Sequence, residues 1–351
     1  MKYILIDNTG IDNMLNRARN TKLQTTAIIV IGLFAIFSTL LNLILLITIL
    51  LSRKLRSIQL FILFCNFAIL NIFDILSGMF IPFLFIINDN WLSDMTICRL
   101  SVTLEQFVNM ELLMSIMLMA IIQAILSYFP NQFIFNNWRI LAFIIVLWLI
   151  SICLVLPIFT HHIPVIPSEF WYNCSIDKNV PILYPIVCIL IYSICLIIIL
   201  ICLAALLSRN NQYKDQLVSI RSNENLSFNR HTSSFDYDYL NHLKLILILI
   251  ILFIIFDGPF IMLNFFIQIR NSNVLLTSDN AFMVPQDAYI ILNWLRLMYP
   301  LLAPILIYAV SDKIWLNIKR CIFCDRSETI SIRDYSNEQD SKEKANDKSA
   351  K

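Results

Sequence analysis

Long apolar stretches separated by short polar segments dominate this chain. Seven of them reach the length of about 20 mostly apolar residues that a helix needs to cross the hydrocarbon core of a bilayer. They are called spans 1 to 7 and cover Thr26–Leu51, Ser57–Ile86, Cys98–Ser127, Trp138–Phe159, Pro181–Ser208, Asn241–Ile269 and Asp287–Val310. Spans 1 and 5 contain no charged residue, and span 4 contains only Arg139 near its start. The pattern predicts an all-α membrane protein with a bundle of seven transmembrane helices.

The polar segments divide the rest of the chain. Residues 1–25 precede the seven-helix domain of residues 26–310, within which residues 209–240 are predicted to be a flexible loop. Residues 322–351 are highly charged, which favours a disordered tail. Between span 7 and this tail, residues 311–321 alternate apolar and basic side chains at helical spacing. This spacing predicts a short amphipathic helix at the membrane surface, with Ile314, Trp315 and Ile318 in the bilayer.

The composition excludes a water-soluble fold and gives no reason to expect nucleic acid. Hydrophobic residues make up 58% of the 351 residues and charged residues 14%, whereas soluble domains are about half apolar. The formal net charge is only +2, so no strong field favours a polyanion. The lipid bilayer is therefore the partner that composition predicts.

The distribution of basic residues predicts the orientation. An odd number of spans places the two termini on opposite sides, and the short loop between spans 1 and 2 concentrates Arg53, Lys54 and Arg56. Short basic loops stay in the cytoplasm. Basic residues before span 1 oppose this assignment, but those after spans 5 and 7 support it. The N-terminus is expected outside, and residues 209–240 and the tail in the cytoplasm.

Five ionisable residues lie at bilayer depth, where a charge is costly and usually serves a function. They are Asp74, Glu105, Glu111, Asp257 and Arg296. Arg296 is expected to neutralise Glu105 or Asp257, since a buried charge needs a partner. Direct contact of these side chains with a ligand is the alternative, and the two roles are compatible.

Several short motifs recur in the order of one receptor family. The loop Ser52–Ser57 has the sequence SRKLRS, and span 2 contains LNIFD ending at Asp74. The remaining landmarks follow the same order along the chain: Asn42, Trp91, Cys98, Trp148, Pro157, Cys174, Pro185, Phe253, Pro259, Pro304 and Tyr308. In these features the chain resembles the rhodopsin-like (class A) G-protein-coupled receptors, from Asn42 to about Cys324.

The resemblance implies a plasma-membrane receptor for an extracellular ligand that signals to a heterotrimeric G protein. It places the ligand, a small molecule or a peptide, among Glu105, Asn109, Asp257, Asn293 and Arg296. A pocket with both signs of charge, below the aromatic, strand-prone run Glu169–Cys174, favours a neuropeptide.

The resemblance also implies further sites, described by what each would hold. A disulfide is expected between Cys98 and Cys174, both on the oxidising outer side. Asp74, supported by Asn42, stands where family members bind sodium; a protonated, hydrogen-bonded Asp74 is the alternative. Cys321 and Cys324 stand where the family carries acyl chains.

Three departures from the family pattern concern activation. The DRY motif of span 3 is Ile122-Gln123-Ala124, and the tryptophan two residues before the proline of span 6 is Asp257. The NPxxY motif of span 7 becomes APILIY, ending at Tyr308. Gln123 and Tyr308 are the residues expected at the G-protein end, although Gln123 cannot hold a carboxylate by charge. A ligand-binding protein without G-protein coupling is therefore the alternative function.

Other classes of membrane protein fit less well. Retinal needs a lysine for its Schiff base, and none occurs between Lys244 and Lys313. With four glycines in the chain, neither a GxGD nor a GxSG motif of an intramembrane protease is present, so no enzyme is expected. No internal repeat of a transporter is evident. No cofactor and no metal site are expected.

Overall fold

The computed structural model describes residues 22–56, 58–87, 95–128, 137–167, 174–176, 180–222, 230–270 and 286–323. Span 1 is the helix Lys22–Leu51, followed by the short helix Arg53–Arg56. Span 2 consists of Gln59–Ile75, a π-helical turn at Leu76–Phe80 and Ile81–Ile87. The remaining helices are Met95–Tyr128 (span 3), Asn137–Phe159 (span 4), Leu183–Ser222 (span 5), Arg230–Phe256 with Gly258–Arg270 (span 6), Gln286–Val310 (span 7) and Asp312–Phe323.

The helices form the predicted seven-helix bundle. Within the described residues, six helices are long and apolar enough to cross a membrane, and a bent pair in span 6 supplies the seventh crossing. Span 3 is the most enclosed, with 72% of its membrane segment buried, against 22% for span 4. Large apolar side chains such as Ile36, Leu149 and Ile201 point away from the protein, as expected of surfaces that face lipid.

Span 6 bends by 43° at Asp257, where a single continuous helix was predicted. The following Gly258 and Pro259 explain the bend, because proline lacks the N–H that would bond the Ile255 carbonyl and its ring crowds the preceding turn. Backbone bonds still bridge the break: the Asp257 N–H donates to the Phe253 carbonyl at 3.0 Å. The bend therefore places Asp257 at a helix break inside the bundle.

Span 5 continues well beyond the membrane and replaces part of the predicted flexible loop. Its helix runs to Ser222, and the helix of span 6 already begins at Arg230. Residues 209–222 contain neither glycine nor proline, so nothing in this polar stretch stops a helix once it has started. Residues 223–229 lie outside the described part of the chain.

A short hairpin and a disulfide mark one end of the bundle, called the disulfide end below. Cys98 at the start of span 3 is bonded to Cys174, as expected. Cys174 begins the strand β2 (Cys174–Ile176), which pairs antiparallel with β1 (Val165–Pro167). Trp91 and the aromatic run 169–173 lie outside the described residues.

Arg99 fastens spans 3 and 4 at the disulfide end. Its guanidinium Nη1 donates to the carbonyls of Ile158 at 2.7 Å and Ile163 at 3.2 Å, where span 4 ends. Helix C-termini leave carbonyls without intrahelical donors, so a buried cation is well suited to this position.

The helix Asp312–Phe323 lies at the opposite end and differs in orientation from the prediction. Ile314 and Ile318, expected in the bilayer, are buried against the bundle, whereas Trp315 and Leu316 are exposed. Two of the three residues expected in the bilayer thus pack against the protein. Of these three, only Trp315 has an exposed side chain. The Cys321 side chain and Cys324 lie outside what the structure describes.

Candidate functional site

A single arginine joins three spans in the interior of the bundle. The Arg296 side chain is 1% exposed. Its Nη2 donates to Asp74 Oδ1 of span 2 at 2.5 Å, and its Nη1 donates to Glu105 Oε1 of span 3. The fork of a guanidinium presents two donors at a fixed angle, so it binds two carboxylates that a single ammonium would hold less well.

The local sequence of span 2 leaves room for this arrangement. Gly78 lies in the π-helical turn, and a Cβ at this position would be 3.9 Å from Arg296 Nη2 and 4.0 Å from Asp74 Oδ1. A longer side chain would therefore enter the space of the ion pair. On another side of the guanidinium, the Phe260 ring of span 6 lies 5.0 Å away, within the range of a cation–π contact.

Asp257 is a third carboxylate beside the same arginine. It is 2% exposed and interacts electrostatically with Asp74 and Arg296. Among the described residues, neither of its carboxylate oxygens has a hydrogen-bond partner. The group Asp74, Glu105, Asp257 and Arg296, called the Arg296 cluster below, thus contains three acids and one base. An unpaired carboxylate is costly to bury, so Asp257 is expected to be protonated unless an additional positive group lies near it.

Asn42 is bonded to the backbone of span 7, whereas Asp74 is bonded to Arg296. Its Nδ2 donates to the carbonyls of Pro300 at 2.9 Å and Ser38 at 2.8 Å, while its Oδ1 accepts a bond from Asn71 at 3.0 Å. The Pro300 carbonyl is available because Pro304, four residues later, has no N–H to donate to it. The sodium site at Asp74 and Asn42 stays a prediction, and Arg296 already supplies Asp74 with a cation.

The other predicted site residues lie along the same helices. Asn109 is buried about one turn after Glu105 on span 3, and Asn293 is half-buried about one turn before Arg296 on span 7. Gln123 is buried near the far end of span 3. The Tyr308 hydroxyl donates to the Leu41 carbonyl at 2.5 Å, which ties span 7 to span 1.

A fourth buried acid, Glu111, lies outside the Arg296 cluster, and the sequence analysis assigned it no specific role. It is fully buried and accepts a bond from Ser151 of span 4 at 2.7 Å. Ser115 Oγ donates to the other carboxylate oxygen of Glu111 at 3.5 Å. From there the network continues outward, because Asn66 Nδ2 donates to Ser115 Oγ at 2.8 Å and Trp148 Nε1 donates to Asn66 Oδ1 at 3.0 Å. Ser115 stands one turn after Glu111, and this spacing is the only sign of the network in the sequence.

The described residues contain no group of three or more side chains suited to hold a metal ion. The Arg296 cluster itself offers ion pairs and hydrogen bonds, which suit recognition of a charged or polar group.

Comparison with known proteins identifies the family. Residues 41–308 match the model of the 7 transmembrane receptor (rhodopsin family). The fold is similar to the crystal structure of squid rhodopsin, with a TM-score of 0.69 over 87% of this chain and 89% of that chain at 15% identity. That likeness concerns the fold alone, and a search of curated protein sequences found no match. Since the family model covers most of its length, the chain belongs to the rhodopsin family of seven-transmembrane receptors, a class of receptors and not of enzymes.

Proposed function

We propose that this receptor binds an extracellular neuropeptide at the Arg296 cluster and signals to a heterotrimeric G protein at the opposite end of the bundle. The observation that carries the proposal is the buried group of three acids and one base. Such a group is costly to bury, and intramembrane charges are retained mainly where they bind or relay something. Family membership supports the coarser function of G-protein signalling.

The charge of the cluster supports a ligand with a positive group. Arg296 is bonded to Asp74 and Glu105, which leaves Asp257 without a hydrogen-bond partner among the described residues. The N-terminal amine or a basic side chain of a peptide would complete the charge balance there. Asn109 and Asn293 would add hydrogen bonds to the peptide backbone.

The orientation follows from the disulfide and the basic loop. A stable disulfide needs an oxidising compartment, so the disulfide end and the N-terminus would face the outside of the plasma membrane. Arg53 and Arg56 would then lie in the cytoplasm, in keeping with the positive-inside rule.

Coupling would depend on movements of spans 6 and 7. The break at Asp257 gives span 6 a hinge beside the ligand, while the bond from Tyr308 to Leu41 holds span 7 against span 1. A ligand that favours a different hinge angle shifts the population towards a state with an open cytoplasmic cavity. Gln123 would line that cavity without the ionic latch of the family.

The first test is G-protein activation in cells that express the receptor, challenged with a library of neuropeptides and amines. A response to a peptide supports both ligand and coupling, and a response only to amines contradicts the peptide proposal. Gln123→Arg serves as the companion variant. If only this variant responds, the natural chain binds ligand without coupling, which is the alternative function.

The binding site is tested with the ligand that the library provides. Asp257→Asn should weaken binding at least tenfold at unchanged surface expression, because Asp257 loses a ligand contact but no internal hydrogen bond. Lys319→Gln, which removes an exposed charge at the opposite end, is the control and should bind normally. Unchanged affinity in Asp257→Asn would place the ligand elsewhere.

A further inference from the structure

An apolar groove runs along the outside of the bundle between spans 1, 2 and 4. Its volume is about 930 Å³. Leu141, Ile145, Trp148 and Ile152 of span 4 form one wall, and Ile49 of span 1 lies on the other side. No residue of the Arg296 cluster lines the groove, and side chains such as Leu141 and Ile145 are exposed on the outside of the bundle, so the groove is separate from the proposed ligand site.

One end of the groove is positively charged. Arg53 and Arg56 both line it, both side chains are exposed, and no aspartate or glutamate occurs among the lining residues. These arginines directly follow span 1, at the depth where a helix leaves the hydrocarbon and lipid phosphates lie. The Asn137 amide, which donates to the Arg56 carbonyl at 3.0 Å, holds the start of span 4 beside this charged end.

The length of the groove suits an acyl chain. From Asn137 to Ile152 the lining of span 4 rises by roughly 22 Å at 1.5 Å per residue. One leaflet of the hydrocarbon core is about 15 Å thick, so the groove reaches from the lipid phosphates to about the centre of the bilayer.

The wall of the groove is fixed in place before anything binds. The Trp148 indole donates to Asn66, and Asn66 is bonded to Ser115 in the interior. Trp148 also packs edge-on against Phe107, at 5.6 Å between ring centroids. Because the Trp148 ring is already held from two sides, this side chain loses little conformational freedom when a ligand binds, and this favours affinity.

We propose that this groove is a binding site for one anionic phospholipid. Its phosphate and anionic headgroup pair with Arg53 and Arg56, and one acyl chain lies against Leu141, Ile145 and Trp148. Arginine forms paired hydrogen bonds with phosphate oxygens, and the apolar wall takes a chain in place of bulk lipid. A zwitterionic phospholipid fits the same wall but gains less at the charged end.

The test uses the full-length receptor purified in detergent and titrated with phosphatidylserine, phosphatidylcholine or cholesterol, with bound lipid counted by native mass spectrometry. We expect phosphatidylserine to bind about tenfold more tightly than phosphatidylcholine, since each basic residue near a membrane surface adds attraction for an anionic lipid. The double variant R53Q/R56Q should lose this preference, and R53K/R56K should keep part of it. The matched control K244Q/K319Q removes two exposed cations that do not line the groove and should leave the preference unchanged.

A second measurement locates the lipid. Phosphatidylserine with a photoreactive diazirine in its acyl chain should crosslink to the peptide that contains Ile145 and Trp148, and I145W should reduce this crosslink by filling the groove. Equal binding of the two phospholipids, or a preference that survives R53Q/R56Q, would overturn the proposal. Binding of cholesterol alone, or crosslinks only to other spans, would also overturn it. A melting temperature for each variant separates lost binding from lost folding.

Discussion

At the scale of single residues, Arg296 determines whether three buried carboxylates are tolerated. It bonds Asp74 and Glu105 directly and lies close enough to Asp257 to attract it. Removing one partner of a buried ion pair leaves the others charged and unpaired, which is more damaging than removing the whole group. The loss of stability caused by a substitution in the cluster should therefore depend on how many buried charges it leaves without a partner.

Arg296→Met should lower the stability of the receptor by about 3–5 kcal/mol, the usual effect of breaking a buried pair. The triple variant D74N/E105Q/R296M should recover a large part of this loss, because it removes two of the unpaired acids. Thermal unfolding of the purified proteins and surface expression measure both effects. A triple variant that is no more stable than Arg296→Met would show that packing of the long side chain, and not its charge, matters here.

The bond from Asn42 to span 7 exists because of a proline elsewhere in the chain. Pro304 cannot donate to the Pro300 carbonyl, so Asn42 donates to it instead at 2.9 Å. Asn42→Ala should destabilise the natural chain by about 1–2 kcal/mol for a buried acceptor left without a partner. In a Pro304→Ala background, the new N–H at position 304 can bond the Pro300 carbonyl within the helix.

The cost of Asn42→Ala should then be smaller by about 1 kcal/mol in the Pro304→Ala background. A double-mutant cycle from melting curves of the four proteins measures this coupling. Additive effects would mean that the Asn42 amide contributes through Asn71 and Ser38 and not through Pro300.

At the scale of helices, the sequence predicted the seven spans but not how each one ends or bends. For span 4, the apolar run predicted a start at Trp138, one residue after the observed start at Asn137. It also predicted the observed last residue, Phe159. Hydrophobicity indicates which part of a helix lies within the membrane. It could therefore not show that the helix of span 5 continues beyond the membrane to Ser222. The Gly258–Pro259 pair was visible in the sequence, but the 43° angle depends on packing around Asp257.

Spans 3 and 4 are joined in the middle of the bundle by the bond from Ser151 to Glu111. Ser151→Ala should destabilise the receptor by about 1–3 kcal/mol, because a buried carboxyl oxygen loses its donor. The double variant E111M/S151A should be less harmful than Ser151→Ala alone, since it replaces both polar partners with apolar groups. Melting temperatures in detergent test this order.

Cys153→Ala, two residues away on the same span with an exposed side chain, is the control and should change stability by less than about 0.5 kcal/mol. If E111M/S151A is the least stable of the three, the remaining bonds of Glu111 through Ser115 and Asn66 matter more than its bond to Ser151.

At the scale of the whole molecule, the fold was predictable, whereas the ion pairs inside it were predictable only in part: the Arg296–Glu105 pair was expected and the Arg296–Asp74 pair was not. Seven apolar runs and the order of the landmark residues were sufficient for the family. The sequence proposed Glu105 or Asp257 as the partner of Arg296, and the structure bonds Arg296 to Glu105 and Asp74. Helical periodicity gives the face of a helix but not its neighbours, so Asp74 was not identified as a partner of span 7.

The orientation of the whole chain depends on a balance between two basic groups. Arg53, Lys54 and Arg56 lie in the short loop after span 1, whereas Arg17, Arg19 and Lys22 precede that span and favour the reverse orientation. Positive residues close to a span resist transfer across the membrane, and the groups compete for the same side. The later clusters near Lys244 and Lys319 support the loop, so we expect the N-terminus outside.

An epitope tag placed before Met1 should therefore be stained by antibody on intact, unpermeabilised cells. The variant R53Q/K54Q/R56Q removes the charge that keeps the first loop in the cytoplasm. It should therefore lower the staining of intact cells, expressed as a fraction of the staining after permeabilisation. The matched variant R17Q/R19Q/K22Q removes the opposing group and should keep or raise that fraction. If the unmodified receptor is stained only after permeabilisation, the N-terminus is cytoplasmic, and the disulfide end could not receive an extracellular ligand.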